Sequence, residues 1–150
     1  MIPMAVDDVK KSGEELLTLG SRVSDLTLIP PWIERLGGEH AIPGSVQFAM
    51  NLCLEEVLSN VIRHGYLNQP NHPILVRYAV APDGSSLLVV EDEAPMFNPL
   101  AAEETPVGEV LEGNRVGGMG IRLVRGFASG IEYEPTSAGN RLTMAFSARS

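Results

Sequence analysis

Residues 46–64 constrain the fold of this chain more than any other stretch, because they carry no glycine or proline and are mostly apolar. Such residues favour a helix; Pro43, Gly44 and Ser45 punctuate the chain ahead of it and Gly65 marks its end. Glu56 and Asn60 stand four residues apart, so they lie one turn apart and about 40° round the helix, on one face, while Glu55 points elsewhere. His64 extends the same stripe, although beside Gly65 it also suits a helix C-terminal cation. A polar stripe on an otherwise apolar helix faces something, and a cleft is the natural candidate; a solvated face is the plainer alternative.

The chemistry of the stripe is specific. Magnesium takes a few hard oxygen ligands besides phosphate oxygens, which makes the Asn60 carbonyl a candidate metal ligand. The neighbouring carboxylate of Glu56 is then a candidate general base.

Around this helix the chain reads as alternating helices and hairpins. Residues 15–19 suit an edge strand after a frayed first dozen residues, with Ser21 or Ser24 as a helix cap. Residues 26–36 suit a short helix with Pro30 and Pro31 in its first turn and Gly37 and Gly38 as its stop. In 73–80, Ile74, Val76, Tyr78 and Val80 fall on one face, and Pro82-Asp83-Gly84-Ser85 turns the chain into a partner strand over 87–92. Residues 93–116 are rich in proline, glycine and glutamate and long for a structureless connection, which suits a lid or a disordered segment. A helix follows through about residue 128. Residues 131–134 and 141–147 then form a closing hairpin across Ser137-Ala138-Gly139-Asn140. The expected architecture is α+β, a two-layer sandwich of helices on a mixed, mainly antiparallel sheet, in one domain spanning 1–150.

Composition excludes several classes. With 150 residues, 44% hydrophobic and 20% charged, the chain suits one globular core. A net charge of -8 with few, scattered Lys and Arg argues against nucleic acid. Cys53 stands alone, so no intrachain disulfide forms, and with no run near the roughly 20 apolar residues of a membrane span a cytoplasmic location is expected. His40, His72 and Cys53 lack metal-ligand spacing, so no zinc site is expected.

Two further positions bear on a ligand. Asp92 ends a strand where an acid is poor strand material but well placed to accept a hydrogen bond from an adenine amino group; the plainer reading is a turn-forming Asp. Gly117, Gly118 and Gly120, with Met119 among them, let backbone N–H groups approach phosphates at a helix N-terminus, and Arg115 just ahead has the reach for a terminal phosphate. A glycine cluster alone is usually a turn, and a lone arginine is usually solvated.

Taken in order, the helix Asn51-Leu-Cys-Leu-Glu-Glu-Val-Leu-Ser-Asn-Val-Ile-Arg-His-Gly-Tyr66, then Val-Val-Glu-Asp92, then Gly117-Gly-Met-Gly-Ile-Arg-Leu-Val124 resembles the Bergerat-fold ATPases. The His-Gly-Tyr ending and the small size look most like the anti-sigma-factor serine/threonine kinases. The resemblance implies ATP and Mg2+ as cofactors, Glu56 as catalytic base, Asn60 as magnesium ligand, Asp92 as adenine-binding aspartate, and Gly118 and Gly120 as phosphate contacts. It further implies phosphoryl transfer to a small anti-anti-sigma (STAS-type) protein, competition with a sigma factor, and dimerisation through the first strand and helix, where Leu26, Leu28, Ile29 and Trp32 offer an apolar surface. The sequence departs from the pattern at Asp92-Glu93-Ala94, where the family has Asp-x-Gly, and at Asn98, where many relatives are acidic. Ala94 is the best support for a rival reading, a module that sequesters partners without transferring phosphate. The catalytic half of a two-component histidine kinase is a third reading, which expects a helical segment with a phosphoacceptor His ahead of this domain.

Overall fold

The computed structural model describes residues 15–100 and 116–148. The first dozen residues, Arg115 and most of the expected lid fall outside these.

Five strands form one sheet in the order β1-β2-β3-β5-β4: β1 (Glu15–Leu19), β2 (Ile74–Val80), β3 (Ser86–Asp92), β4 (Gly130–Pro135) and β5 (Asn140–Phe146). Each pairing is antiparallel, so no parallel pair occurs among the described strands of a sheet expected to be mixed. Tight connections explain much of this, since a hairpin joins only antiparallel neighbours. In the β2–β3 hairpin, Asp83 Oδ1 accepts the Ser85 N–H at 2.9 Å and Gly84 takes φ 90°, a conformation that suits glycine. Ile74, Val76 and Tyr78 are buried as the alternation predicts, whereas Val80, the last residue before the turn, is 40% exposed.

The helices α1 (Ile29–His40), α2 (Gly44–Asn60) and α3 (Val116–Phe127) form the second layer, with α2 in contact with both others. A 3-10 turn, Val23–Leu28, leads into α1, and prolines stand in that helix's first turn, where their missing N–H costs nothing. Gly37 and Gly38 do not stop α1. The helix runs on to His40 and ends because Ala41 turns left-handed, its N–H bonding to the Gly37 carbonyl. Gly37 serves packing instead: a Cβ there would collide with the Gln47 side chain of α2. Ser21 caps no helix either; its hydroxyl donates to the Gln69 carbonyl and accepts the His72 N–H, fixing the 66–72 loop.

One apolar core lies between the layers, built from Leu36, Met50, Leu54, Leu58, Val76, Leu88, Val90 and Met144 among others. Ile29 and Trp32 belong to it, so two of the four residues expected on a dimer surface are internal, while Leu28 is 46% exposed. No described helix is long and apolar enough to cross a membrane.

Candidate functional site

A pocket with an enclosed volume of about 50 Å³, open to solvent, lies where the C-terminal end of α2, β3, α3 and the β4–β5 hairpin meet. Its walls are mainly apolar: Val57 and Val61 from one side, Val90 and Leu142 from the sheet, Ile121 from α3, and Pro95, Phe97 and Pro99 from the segment after β3. Polar groups converge on it from Asn60, Asp92, Tyr133 and Asn140. A mostly apolar slot with a few polar groups is the usual form of a small-molecule site.

Asp92 is the acid of this slot. Strand alternation turns it, with Val90, toward the helical layer, and it is only 8% exposed. Its Oδ1 accepts the Ala94 N–H at 2.9 Å and the Asn140 amide at 2.8 Å. Both bonds fall on one oxygen, which leaves Oδ2 as acceptor for a donor in the cavity. Burial raises the Asp92 carboxyl above its ordinary value, against the lowering effect of those two hydrogen bonds.

Residues 21–146 match the family model of the histidine kinase-like ATPase domain. The chain belongs to that family. Over 114 residues it is 25% identical to the serine/threonine-protein kinase BtrW of Bordetella bronchiseptica, covering 75% of this chain and 79% of that protein. Its fold is that of the histidine kinase domain of the blue-light activated histidine kinase of Erythrobacter litoralis EL346, with a TM-score of 0.51 at 18% identity over 83% of this chain and 59% of that one. A second structure of that kinase gives 0.53 at 16% identity, over 82% of this chain and 40% of the other. The chain thus spans less than two thirds of either structure.

Within this ATPase domain the predicted site residues divide. Asn60, Asp92 and Ala94 line the cavity together. Glu56 is half-buried one turn before Asn60 on α2, outside the lining. His64 is exposed and also outside it, because the helix widens into a π turn over Val61–Gly65 that breaks the i,i+4 stripe and brings Gly65 to the cavity in its place. Gly117, Gly118, Met119 and Gly120 lie in the first turns of α3, the helix they were expected to open. The turn they form leads directly into Ile121, and the first N–H groups of any helix lack intrahelical acceptors. Arg115 lies outside the described residues.

Ala94 fits without backbone strain, its φ lying outside the left-handed region, and its buried methyl sits against the bare Cα of Gly65. The departure from Asp-x-Gly is therefore matched by a glycine across the cavity wall. Three contributors went unread in the sequence. Asn140 was taken for a turn residue; Tyr133 sat in a strand with no other mark; Tyr66 donates its hydroxyl to the Pro73 carbonyl and accepts the Glu93 N–H, each at 2.7 Å, tying the π turn to the segment after β3. A polar Asn opening an apolar strand was the one signal available. Cys53 is no nucleophile, since burial pushes its thiol up to about 12.

One further acidic cluster, Glu15, Glu39 and His40, brings three potential metal ligands together. Arg35 Nη1 stands 3.3 Å from Glu15 and 3.0 Å from Glu39, so a cation of the protein's own already serves them.

Proposed function

We propose that this domain binds ATP with magnesium in the Asp92 cavity and acts as a protein serine/threonine kinase on a small anti-anti-sigma (STAS-type) partner, with a sigma factor competing for the same protein. The observation that carries the nucleotide is the buried Asp92 carboxylate with Oδ2 left as acceptor in an apolar slot, which suits a flat base presenting an N–H. The donor set fits the cofactors: Asn60 offers a neutral hard oxygen at the cavity wall, and the N-terminal turn of α3 offers amide donors for phosphates. The partner class rests on the resemblance of the three motifs to the anti-sigma-factor kinases.

Bound ATP supplies the transferable γ-phosphoryl group, and magnesium neutralises charge on the phosphates. The chain's own residues do the rest. Asp92 orients the base, the apolar walls exclude water from it, Asn60 holds the metal, and Glu56 takes the proton of the partner's hydroxyl as general base.

Calorimetric titration with ATP, with and without magnesium, on the wild type and Asn60→Ala tests the reading. Binding that depends on magnesium and weakens about tenfold or more in the variant supports it. Glu56→Gln should then retain binding but lose phosphoryl transfer by about 100-fold or more. No binding by the wild type at millimolar ATP sinks the kinase and leaves a module that sequesters partners.

A further inference from the structure

Asn140 is 7% exposed and opens β5 directly beside Asp92 of β3, its register partner. Its amide is saturated. Nδ2 donates to Asp92 Oδ1 at 2.8 Å and to the carbonyls of Ala94 and Pro95 at 3.2 and 3.3 Å. Oδ1 accepts the Phe97 N–H at 3.0 Å and the Tyr133 hydroxyl at 2.6 Å. An amide has two N–H donors and two acceptor sites, so nothing is left over for a ligand.

Every group that Asn140 holds is itself a wall of the cavity: Asp92, Ala94, Pro95, Phe97 and Tyr133 all line it. We propose that Asn140 is the positioning residue of this site, aiming Asp92 at the bound base and pinning the stem of the lid and Tyr133 around it with one side chain. The proposal rests on the nucleotide reading above for its ligand, but the pinning itself belongs to the free protein.

Only asparagine fits the pattern. An aspartate has the shape but not the two N–H groups, and it would set a second carboxylate against Asp92 at 2.8 Å. Two such groups cannot both ionise at ordinary cost. Serine or alanine leaves the Ala94 and Pro95 carbonyls and the Phe97 N–H without their partner. The titratable groups touching position 140 are Asp92 and Tyr133; the neighbouring Arg141 turns to the other face of the sheet, onto Glu91 and Glu134.

Two measurements on Asn140→Asp and Asn140→Ala decide the matter. Amide hydrogen exchange in the free protein should rise about tenfold or more at Phe97 in Asn140→Ala, which removes its acceptor, and less in Asn140→Asp, which keeps one, while β2 keeps its protection. Titration with ATP and with inosine triphosphate, which carries a keto oxygen where ATP has an amino group, should show the preference for ATP falling about tenfold or more in both variants. In Asn140→Asp the preference should return as pH falls and a protonated carboxyl at 140 donates to Asp92 again, while the wild type keeps its preference until Asp92 itself protonates. Unchanged exchange at Phe97 in Asn140→Ala, or variants that lose affinity equally for both nucleotides with no recovery of Asn140→Asp at low pH, overturns the proposal. Raised exchange in a protein that never binds ATP would instead overturn the nucleotide reading, and with it the aiming of a base, while leaving the pin in place.

Discussion

The methyl of Ala94 rests where Gly65 has no side chain: a Cβ built on Gly65 would lie 2.9 Å from the Ala94 Cβ. Gly65 closes the π turn after Asn60 and Ala94 follows Asp92 by two residues, so this contact joins the two polar halves of the cavity.

Gly65→Ala should therefore destabilise the protein by about 1–3 kcal/mol through overpacking. Ala94→Gly in the same chain should return much of that loss. Urea unfolding of both single variants and the double variant measures the coupling, and purely additive effects would show that the two positions do not share space.

Gly139 is held to glycine by a closer approach. A Cβ there would collide with the Asp92 carbonyl oxygen and lie 2.7 Å from the Glu93 Cα. Gly139→Ala should cost about 3 kcal/mol and disturb the cavity with it. An unfolding midpoint equal to the wild type's would mean that β3 and the β4–β5 turn separate easily.

Asp92→Asn should keep the fold and lose the ligand. Burial holds the Asp92 carboxyl above its ordinary value, so its contribution to stability is full below the unfolded value and is lost as pH rises through the folded one. At neutral pH the wild type bears that cost and the asparagine variant does not, so the variant should be at least as stable at pH 7. Its side chain keeps an acceptor for Ala94 and Asn140 but presents an N–H to the cavity, and ATP affinity should fall about tenfold or more. Thermal unfolding at pH 4 and pH 7 beside nucleotide titration separates the two effects; a variant that unfolds more easily at neutral pH contradicts the first.

On the sheet face opposite the helices, Glu91 bridges Arg77 at 2.8 Å and Arg141 at 3.0 Å. Burial raises the Glu91 carboxyl, but the two guanidinium groups outweigh it and hold the group below the usual range. Its contribution is present above the unfolded glutamate value and disappears as pH falls through the folded one. Glu91→Gln should cost about 1–2 kcal/mol at pH 7. The gap to the wild type should close in acid; a gap that persists there would assign the loss to packing.

The sequence determined much of this by itself. Period-2 alternation in 73–80 and the Pro82-Asp83-Gly84-Ser85 turn specify a hairpin, because only an extended chain places Ile74, Val76 and Tyr78 on one face. The unbroken run at 46–64 specifies a helix, and Asn60, Asp92 and the glycines after 116 stand out as candidate ligand residues in their order along the chain. These are local properties, set by each residue and its near neighbours.

What tertiary structure decided was spatial closeness between segments far apart in sequence. Gly37 and Gly65 look like helix stops, yet one makes room for Gln47 and the other for Ala94. The π turn that withdraws His64 from the stripe leaves no mark in the residue types. Asn140 looks like a turn residue until β5 pairs with β3, which sets it beside Asp92, 48 residues away along the chain. Local preferences select helix or strand. Which side chain closes a cavity depends on the packing of elements against one another, and no window of neighbouring residues contains that information.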